Sequence, residues 1–178
     1  MARPPSRREA DAEEDMRDQF AEFERAVLQD NIVLCDQKSG ILLAFAAALI
    51  LVCLDGFNAP ELQQPGLITR VAQTFLGVSA VAFLVCCYFA LSTVIPRIRK
   101  GVDDHIFWES SVFKLPVEQY VERFRNMDVV LERDNRLRYL HTMAGICRTK
   151  FRHFALALRF GQLGFVALVL AEIAHTFA

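Results

Sequence analysis

Residues 71–95, VAQTFLGVSAVAFLVCCYFALSTVI, form a run of 25 residues without a charged side chain. At the 1.5 Å rise per residue of an α-helix, this run is longer than the ~30 Å hydrocarbon core of a bilayer. Pro96 follows the run and is expected to end the helix, because proline lacks a backbone N–H. Arg97, Arg99 and Lys100 come next, where a span meets the lipid headgroups. The run therefore predicts a transmembrane helix.

A second apolar run, residues 39–54, contains 16 residues and is short for a span. Its apolar character continues backwards through residues 32–35, interrupted by Asp36 and Lys38, whose stems can stay in the membrane while their charged groups reach its surface. A buried helix of a soluble protein is the alternative interpretation. Because only residues 55–70 separate this run from the 25-residue run, a transmembrane hairpin is favoured.

The third apolar run lies at the end of the sequence. Residues 160–178 contain one charged side chain, Glu172, together with His175. Nineteen residues are enough to cross the bilayer if Glu172 lies near the far headgroups. A helix lying on the membrane, or packed on the hairpin, is the alternative. We predict a third span.

The charges of the chain are distributed very unevenly. The 178 residues include 20 basic and 21 acidic side chains, with a formal net charge of −1, and 53% of them are hydrophobic. This balance argues against a nucleic-acid-binding protein, which shows a basic excess or patch. Two long stretches that are almost free of charge argue against a soluble globular protein. We predict an all-α integral membrane protein with three transmembrane helices, at about 39–55, 71–95 and 155–176, and with long cytoplasmic amphipathic helices.

The basic residues predict how the chain is oriented, because Lys and Arg accumulate on the cytoplasmic side of a span. Most of those beside the spans lie within residues 97–159, whereas the loop at 55–70 contributes only Arg70. We therefore predict that the N-terminus and residues 97–154 are cytoplasmic. The C-terminus is then on the outer side.

The first cytoplasmic segment changes character near residue 16. Residues 1–15 are rich in Pro, Arg and acidic residues, which predicts a disordered tail, and residues 16–178 are expected to form one domain. From residue 16, apolar residues recur mostly at helical spacing, which predicts an amphipathic helix that runs directly into the first span. These residues are Met16, Phe20, Phe23, Val27 and Leu34.

A second long amphipathic helix is predicted after a connector at residues 101–114. Pro116 suits a first helical turn, and apolar residues then recur at helical spacing through residues 117–154. The helix leads into the third span. A break near residues 133–138 is one interpretation of its charged middle part.

No motif of a known catalytic site occurs in the sequence. It contains no GxxxxGK[ST], GxSxG or HExxH pattern. The five cysteines form no CxxC pair and the four histidines are scattered, so we expect neither a metal site nor a cofactor. The sequence predicts that the protein is not an enzyme.

Charged residues are concentrated where the first and third spans meet the cytoplasm. Asp36 and Lys38 lie at this end of the first span, and Lys150 and Arg152 lie at the equivalent depth on the third. The simpler interpretation is that these cations anchor lipid headgroups. A site for a phosphate-bearing ligand is the alternative.

The order of these features resembles that of a known family. The sequence DQKS at residues 36–39 directly precedes the hairpin, PVEQY at 116–120 begins a helix, and ICRTK at 146–150 precedes the final span. This order resembles the transmembrane effectors of Pycsar, the bacterial antiphage systems built on cyclic pyrimidine mononucleotides. The resemblance extends over about residues 25–175. The matching positions are Asp36, Lys38, Tyr120 and Lys150.

The resemblance implies a specific function. A partner pyrimidine nucleotide cyclase makes cyclic CMP or cyclic UMP on infection, and the effector responds by impairing the inner membrane, so that the cell dies before the phage completes its cycle. In a bacterial inner membrane, the outer side on which the basic residues place the C-terminus is the periplasm. The alternative is a non-catalytic membrane tether or accessory subunit that scaffolds a partner, which explains the spans and the amphipathic helices without a ligand.

A cyclic mononucleotide carries one negative phosphate and a flat base, so its site needs a cation and an aromatic or polar partner. We expect basic residues to contact the phosphate, and Asp36 or Tyr120 to contact the ribose or base. The basic candidates are Lys38, Arg148, Lys150 and Arg152.

The spans also predict assembly. No polar stripe runs through any of them, so one copy cannot line a water-filled path. A protein of this kind that permeabilises membranes is expected to be a homo-oligomer. The helices at residues 16–37 and 117–154 are expected to pack between copies.

Overall fold

The computed structural model describes residues 7–60, 66–95, 116–126 and 128–177, and within these ranges it contains helices and no strand. The helices are α1 (Arg7–Phe57), α2 (Leu67–Val94), α3 (Val117–Arg125) and α4 (Val129–Thr176). Helices α1, α2 and α4 each contain a segment that is long and apolar enough to cross a membrane. The predicted all-α membrane fold is confirmed.

Helix α1 carries the first polar segment and the first span without interruption. It begins at Arg7, so residues 7–15 are helical, although the composition of residues 1–15 predicts disorder. The segment RREADAEED contains no Gly or Pro and several good helix formers. A low apolar content limits how a segment packs, but it does not prevent a helix, and the disorder of residues 1–15 stays a prediction. Residues 1–6 lie outside the described part of the chain.

Local hydrogen bonds satisfy backbone groups at the ends of α1 and α2. The Asn58 side-chain amide donates to the Leu54 carbonyl at 3.0 Å, which satisfies one of the last carbonyls of α1. At the end of α2, the backbone N–H of Ile95 donates to the Leu91 carbonyl at 3.1 Å. Pro96, the basic residues after it and the connector at residues 101–114 lie outside the described residues.

The predicted second amphipathic helix is two helices. Helix α3 ends at Arg125 and α4 begins at Val129, whereas the charged residues 133–138 lie inside α4 without a break. Asn126 and Asp128 flank the junction, and such side chains compete for backbone hydrogen bonds and favour helix ends.

Two ion pairs between residues four apart stabilise the part of α4 in which a break was one interpretation. The Arg136 guanidinium lies 3.1 Å from the Glu132 carboxylate, and that of Arg138 lies 2.8 Å from the Asp134 carboxylate. These contacts explain why the charged segment continues the helix.

The chain divides into two compact units. We call Val33–Pro96 with Arg148–Ala178 the span unit, and Met1–Ile32 with Arg97–Cys147 the polar unit. The core of the span unit consists mostly of small residues around one buried aromatic ring. Its buried members are Ala46, Cys53, Ala72, Leu76, Phe83, Cys86, Ala90, Ala157, Leu168 and Ala171. Small side chains let membrane helices approach closely.

The polar unit contains fewer buried apolar residues among those described. Ala21 of α1 and Leu140 of α4 are buried, and the Asp18 carboxylate lies 3.6 Å from the Arg136 guanidinium. Arg136 therefore pairs within α4 and with α1. Among the described residues of this unit, a charged contact at the surface joins α1 to α4.

Candidate functional site

The candidate site is an ion pair at the polar ends of the first and third spans. In the span unit, Lys150 Nζ of α4 lies 2.5 Å from Asp36 Oδ1 of α1. The Lys150 side chain is only 12% exposed and that of Asp36 is 34% exposed. A hydrogen bond between charged groups contributes about 1.5–3 kcal/mol.

Helical periodicity places Lys150 on the packed side of α4. Residues at i+3 and i+7 share a face with residue i, so Lys150 lies above His153 and Ala157. Ala157 is fully buried in the core of the span unit, and His153 is half-buried. The cation is thus directed towards the other helices, where Asp36 supplies the opposite charge.

A buried hydroxyl lies one helical turn from Asp36. Ser39 is fully buried, and its Oγ has no hydrogen-bond partner among the described residues. A buried hydroxyl without a partner loses the hydrogen bonds that it makes in water. The site therefore combines a paired cation, a carboxylate and an unsatisfied hydrogen-bond donor.

An aromatic layer lies one turn further along α4. The rings of Phe89 and Phe160 are stacked, with centroids 5.9 Å apart and planes at 11°. The His153 ring lies 5.7 Å from Phe89 at 47°. These ring contacts pack α2 against α4 near the polar end of the span unit.

The other predicted site residues do not join this cluster. Lys38, Arg148 and Arg152 are exposed. Arg148 and Arg152 are four residues apart and share a face of α4, whereas Lys150, two residues from each, lies on a different side of the helix. Tyr120 lies on α3, and its side chain is outside the description. Of the six predicted residues, the structure brings Asp36 and Lys150 together.

Ser39 is the site residue that the sequence interpretation missed. The sequence contains an indication of its role. Ser39 follows Asp36 by three residues and therefore lies on nearly the same face of α1. The segment DQKS was interpreted through its charges alone. The burial of a serine at the start of a span becomes visible only when the three helices are packed.

Polar contacts also occur deeper in the span unit. Ser79 Oγ of α2 donates a hydrogen bond to the Gly164 carbonyl of α4 at 2.8 Å. The Cys53 thiol of α1 lies 3.4 Å from the same hydroxyl, to which it donates. Ser79 thus connects all three spans through one buried hydroxyl.

A cavity of about 380 Å³ lies beside these contacts in the span unit. Its lining is apolar except for Gln162, so it is unsuited to a phosphate-bearing ligand. The lining residues are Leu42, Phe45, Ala46, Phe83, Leu158, Gly161, Gln162, Phe165 and Val166. Among the residues that the structure describes, no three His, Cys, Asp or Glu side chains lie close enough together to hold a metal ion.

Comparison with known proteins gives one family. The family model described as the Pycsar effector protein domain matches residues 20–175. No curated protein and no solved structure matches the chain. The matched residues include the three span-length segments and the Asp36–Lys150 pair, and the match confirms the resemblance inferred from the sequence.

Proposed function

The chain belongs to the Pycsar effector family, and from this membership we propose that it is a membrane effector that a cyclic pyrimidine mononucleotide activates. Its role in an antiphage system with a partner cyclase follows from the family, and its location in a membrane follows from the family and from three span-length helices. The activating ligand is cyclic CMP or cyclic UMP. The response is impairment of the inner membrane and abortive infection, without catalysis by the effector.

The single observation that carries this proposal is the extent of the family match. It includes the spans and also most of the polar segments of α1 and α4. A tether needs spans and some surface for its partner. An effector needs, in addition, a place where a signal acts, and the Asp36–Lys150 pair is a suitable one.

We assign the phosphate contact primarily to Lys150. Its side chain is mostly buried and is paired with Asp36, so a phosphate that replaces the carboxylate keeps the cation neutralised. The Ser39 hydroxyl, which has no partner among the described residues, gains an acceptor in the same exchange. Lys38, Arg148, Arg152 and Tyr120 remain predicted contacts of the ligand.

The exchange gives the ligand a way to act on the spans. A ligand shifts a conformational equilibrium only by its differential affinity for two states. The Asp36–Lys150 pair joins α1 to α4 in the ligand-free arrangement, and losing it costs about 1.5–3 kcal/mol. A ligand that takes Lys150 from Asp36 therefore favours a different packing of α1 against α4.

The membrane response requires more than one copy. The described core of the span unit is formed by apolar and small residues, and the buried hydroxyl of Ser79 bonds between helices. A single copy in this packing offers no aqueous path. We therefore propose a homo-oligomer, with the N-terminus in the cytoplasm and the C-terminus in the periplasm.

The test is expression of the full chain with and without an active pyrimidine cyclase. The membrane potential is followed with a voltage-sensitive dye, and growth is recorded in parallel. An effector depolarises the membrane only when cyclic CMP or cyclic UMP is made. Equal behaviour with the active and the inactive cyclase would identify the protein as a tether.

Two variants connect the response to the site. Lys150→Ala removes the buried cation and is expected to abolish depolarisation while the protein still reaches the membrane. Arg138→Ala is the matched control, because Arg138 is an exposed cation of α4 that pairs with Asp134 within the helix. Loss of the response in both variants would show that the assay reports general destabilisation rather than the site.

A further inference from the structure

An apolar stripe runs along α1 in the polar unit, outside the span. Met16, Phe20 and Phe23 are 64–65% exposed, and Val27 is 39% exposed. They are spaced by four, three and four residues, which is the spacing of the contact positions of a coiled coil. Four large apolar side chains on one exposed face need an explanation.

The stripe is not the face with which α1 packs in its own unit. Ala21 is buried, and Asp18 forms the ion pair with Arg136. Ala21 follows Phe20 by one residue, which is a rotation of about 100° around the helix. Helix α1 therefore has one face that contacts its own chain and another that remains open among the described residues.

The bilayer cannot cover this stripe while residues 39–55 span it. Val27 precedes Ser39 by 12 residues in the continuous helix α1, which corresponds to a rise of about 18 Å, and Met16 lies about 35 Å from it. The headgroup layer on each side of the hydrocarbon core is only about 5–8 Å thick. The stripe thus lies in water.

The charges around the stripe also disfavour an anionic surface. Between residues 16 and 27, the acidic side chains outnumber the basic ones by one. They are Asp18, Glu22 and Glu24 against Arg17 and Arg25. Binding to anionic lipids requires an excess of positive charge.

We propose that a second copy of this chain docks on this stripe, with the two α1 helices parallel and in register. The proposal rests on the homo-oligomer of the proposed function and names its surface. Copies inserted into one membrane share their orientation, so their stripes run in the same direction. Parallel pairing of two heptad stripes buries the same residues from both copies.

The residues that flank the stripe are compatible with this pairing. One flank carries Gln19 and Ala26, and the other carries Arg17 and Glu24. In a parallel pair, a flank of one helix meets the opposite flank of the other, so Glu24 faces the uncharged Gln19 of the second copy. The pairing therefore brings no like charges together. Because acidic and basic residues around the stripe nearly balance, the stripe does not attract a partner that carries an excess of one charge.

The size of the stripe determines where the contact forms. From Met16 to Val27 it extends about 17 Å, which is less than a stable interface between free proteins needs. Confinement of both copies to one bilayer raises their effective concentration. The contact is therefore expected in membranes and is expected to weaken on dilution in detergent.

The test is cysteine crosslinking of the full chain in isolated membranes, without cyclic nucleotide. Phe23→Cys places a thiol in the stripe, and Gln29→Cys places one on the exposed opposite side of α1 as the control. The wild type controls for the native thiols. Of these, Cys35 and Cys147 lie outside the spans, and both are buried. Burial raises the pKa of the Cys147 thiol, so it reacts slowly near neutral pH.

The expected result is that a short bismaleimide shifts Phe23→Cys from 20.2 kDa to twice that mass, and leaves Gln29→Cys at the monomer position. Met16→Cys, at the other end of the stripe, should behave like Phe23→Cys and provides a second variant if the first does not accumulate. Because no ligand and no growth measurement is involved, this result is independent of whether a cyclic nucleotide activates the protein.

Four outcomes would overturn the proposal. Equal crosslinking of Phe23→Cys and Gln29→Cys would indicate random collision. A crosslinked product of another mass would indicate that the stripe contacts a different protein. A thiol at position 23 that reacts with a maleimide but does not crosslink would mean that the stripe is exposed to solvent and that no second copy contacts it. A thiol that neither reacts nor crosslinks would mean that another part of the same chain covers the stripe.

Discussion

The span unit and the polar unit hold their helices together by different means. In the span unit, three helices approach closely through small residues. A Cβ atom added to Gly164 would lie 3.0 Å from the Phe83 ring, and Ser79 bonds directly to the Gly164 carbonyl. In the polar unit, the contact between α1 and α4 includes the Asp18–Arg136 pair, whose side chains are 52% and 34% exposed.

The difference follows from the two solvents. Lipid tails are as apolar as leucine, so burying an apolar side chain between spans gains little, and close packing and buried hydrogen bonds must hold the helices. In water, burying apolar side chains lowers the free energy of the folded state, whereas ion pairs at the surface contribute little. Substitutions of similar size should therefore cost more in the span unit than in the polar unit.

The largest effect is expected at the closest helix contact. Gly164→Ala places a methyl group against the buried Phe83 ring, and such overpacking costs about 1–3 kcal/mol of unfolding free energy. Gly40→Ala is the matched control, because a Cβ atom there meets nothing within 4 Å. It should stabilise α1 by about 0.5–1 kcal/mol through helix propensity.

Both variants are measured by titrating the protein in mixed micelles with sodium dodecyl sulfate and following helix content by circular dichroism. We expect opposite signs for the changes in unfolding free energy at the two glycines. The same sign at both positions would mean that α2 and α4 do not approach as closely as the structure describes.

A smaller loss is expected when the buried hydroxyl of the span unit is removed. Ser79→Ala removes the donor to Gly164 and the acceptor of the Cys53 thiol, and hydrogen bonds between membrane helices average about 0.6 kcal/mol, with a maximum of about 1.7 kcal/mol. Thr74→Ala is the control, because Thr74 Oγ1 bonds to the Arg70 carbonyl of its own helix. In the same titration, equal losses for the two variants would argue against an interhelical role of Ser79.

The smallest effect is expected in the polar unit. Asp18→Asn removes a half-exposed ion pair, which is worth about 0.2–1 kcal/mol at low salt. The loss should decrease when the measurement is repeated at high ionic strength, because salt screens exposed charges. A loss as large as that of Gly164→Ala, and independent of salt, would contradict the distinction between the two units.

Much of this fold can be predicted from the sequence, because the decisive signal is local. A charge-free run longer than the bilayer core predicts a span whatever surrounds it, and residues 71–95 lie almost entirely within α2. The continuity of α1 was predictable for the same reason. Its only glycines near the first span are Gly40 and Gly56, and neither interrupts the helix.

The junction between α3 and α4 was missed because two signals disagreed. Apolar residues continue at helical spacing across it, through Phe124 and Leu131, which favours one helix. Asn126 and Asp128 favour helix ends, and in the structure the Glu132 N–H donates to the Asp128 carbonyl at the start of α4. Periodicity describes which face is apolar, whereas the end residues decide where the helix stops.

The candidate site was only partly predictable because its members come from distant parts of the chain. Charge and position identify Asp36 and Lys150 as candidates, but their separation of 114 residues means that only the packing of α1 on α4 pairs them. The same packing buries Ser39 and leaves Lys38 exposed. Sequence patterns give the face of each helix, but they do not state which faces meet.

The central claim is that a cyclic nucleotide takes Lys150 from Asp36, and equilibrium binding of cyclic CMP and cyclic UMP to the full chain in nanodiscs tests it most directly. Three proteins are compared: the wild type, Lys150→Ala and Asp36→Asn. We expect one of the two nucleotides to bind the wild type. Binding should be at least about tenfold weaker in Lys150→Ala, because a charge-assisted hydrogen bond is lost, and tighter in Asp36→Asn, because the competing carboxylate is gone. Equal affinity in all three proteins would contradict the claim.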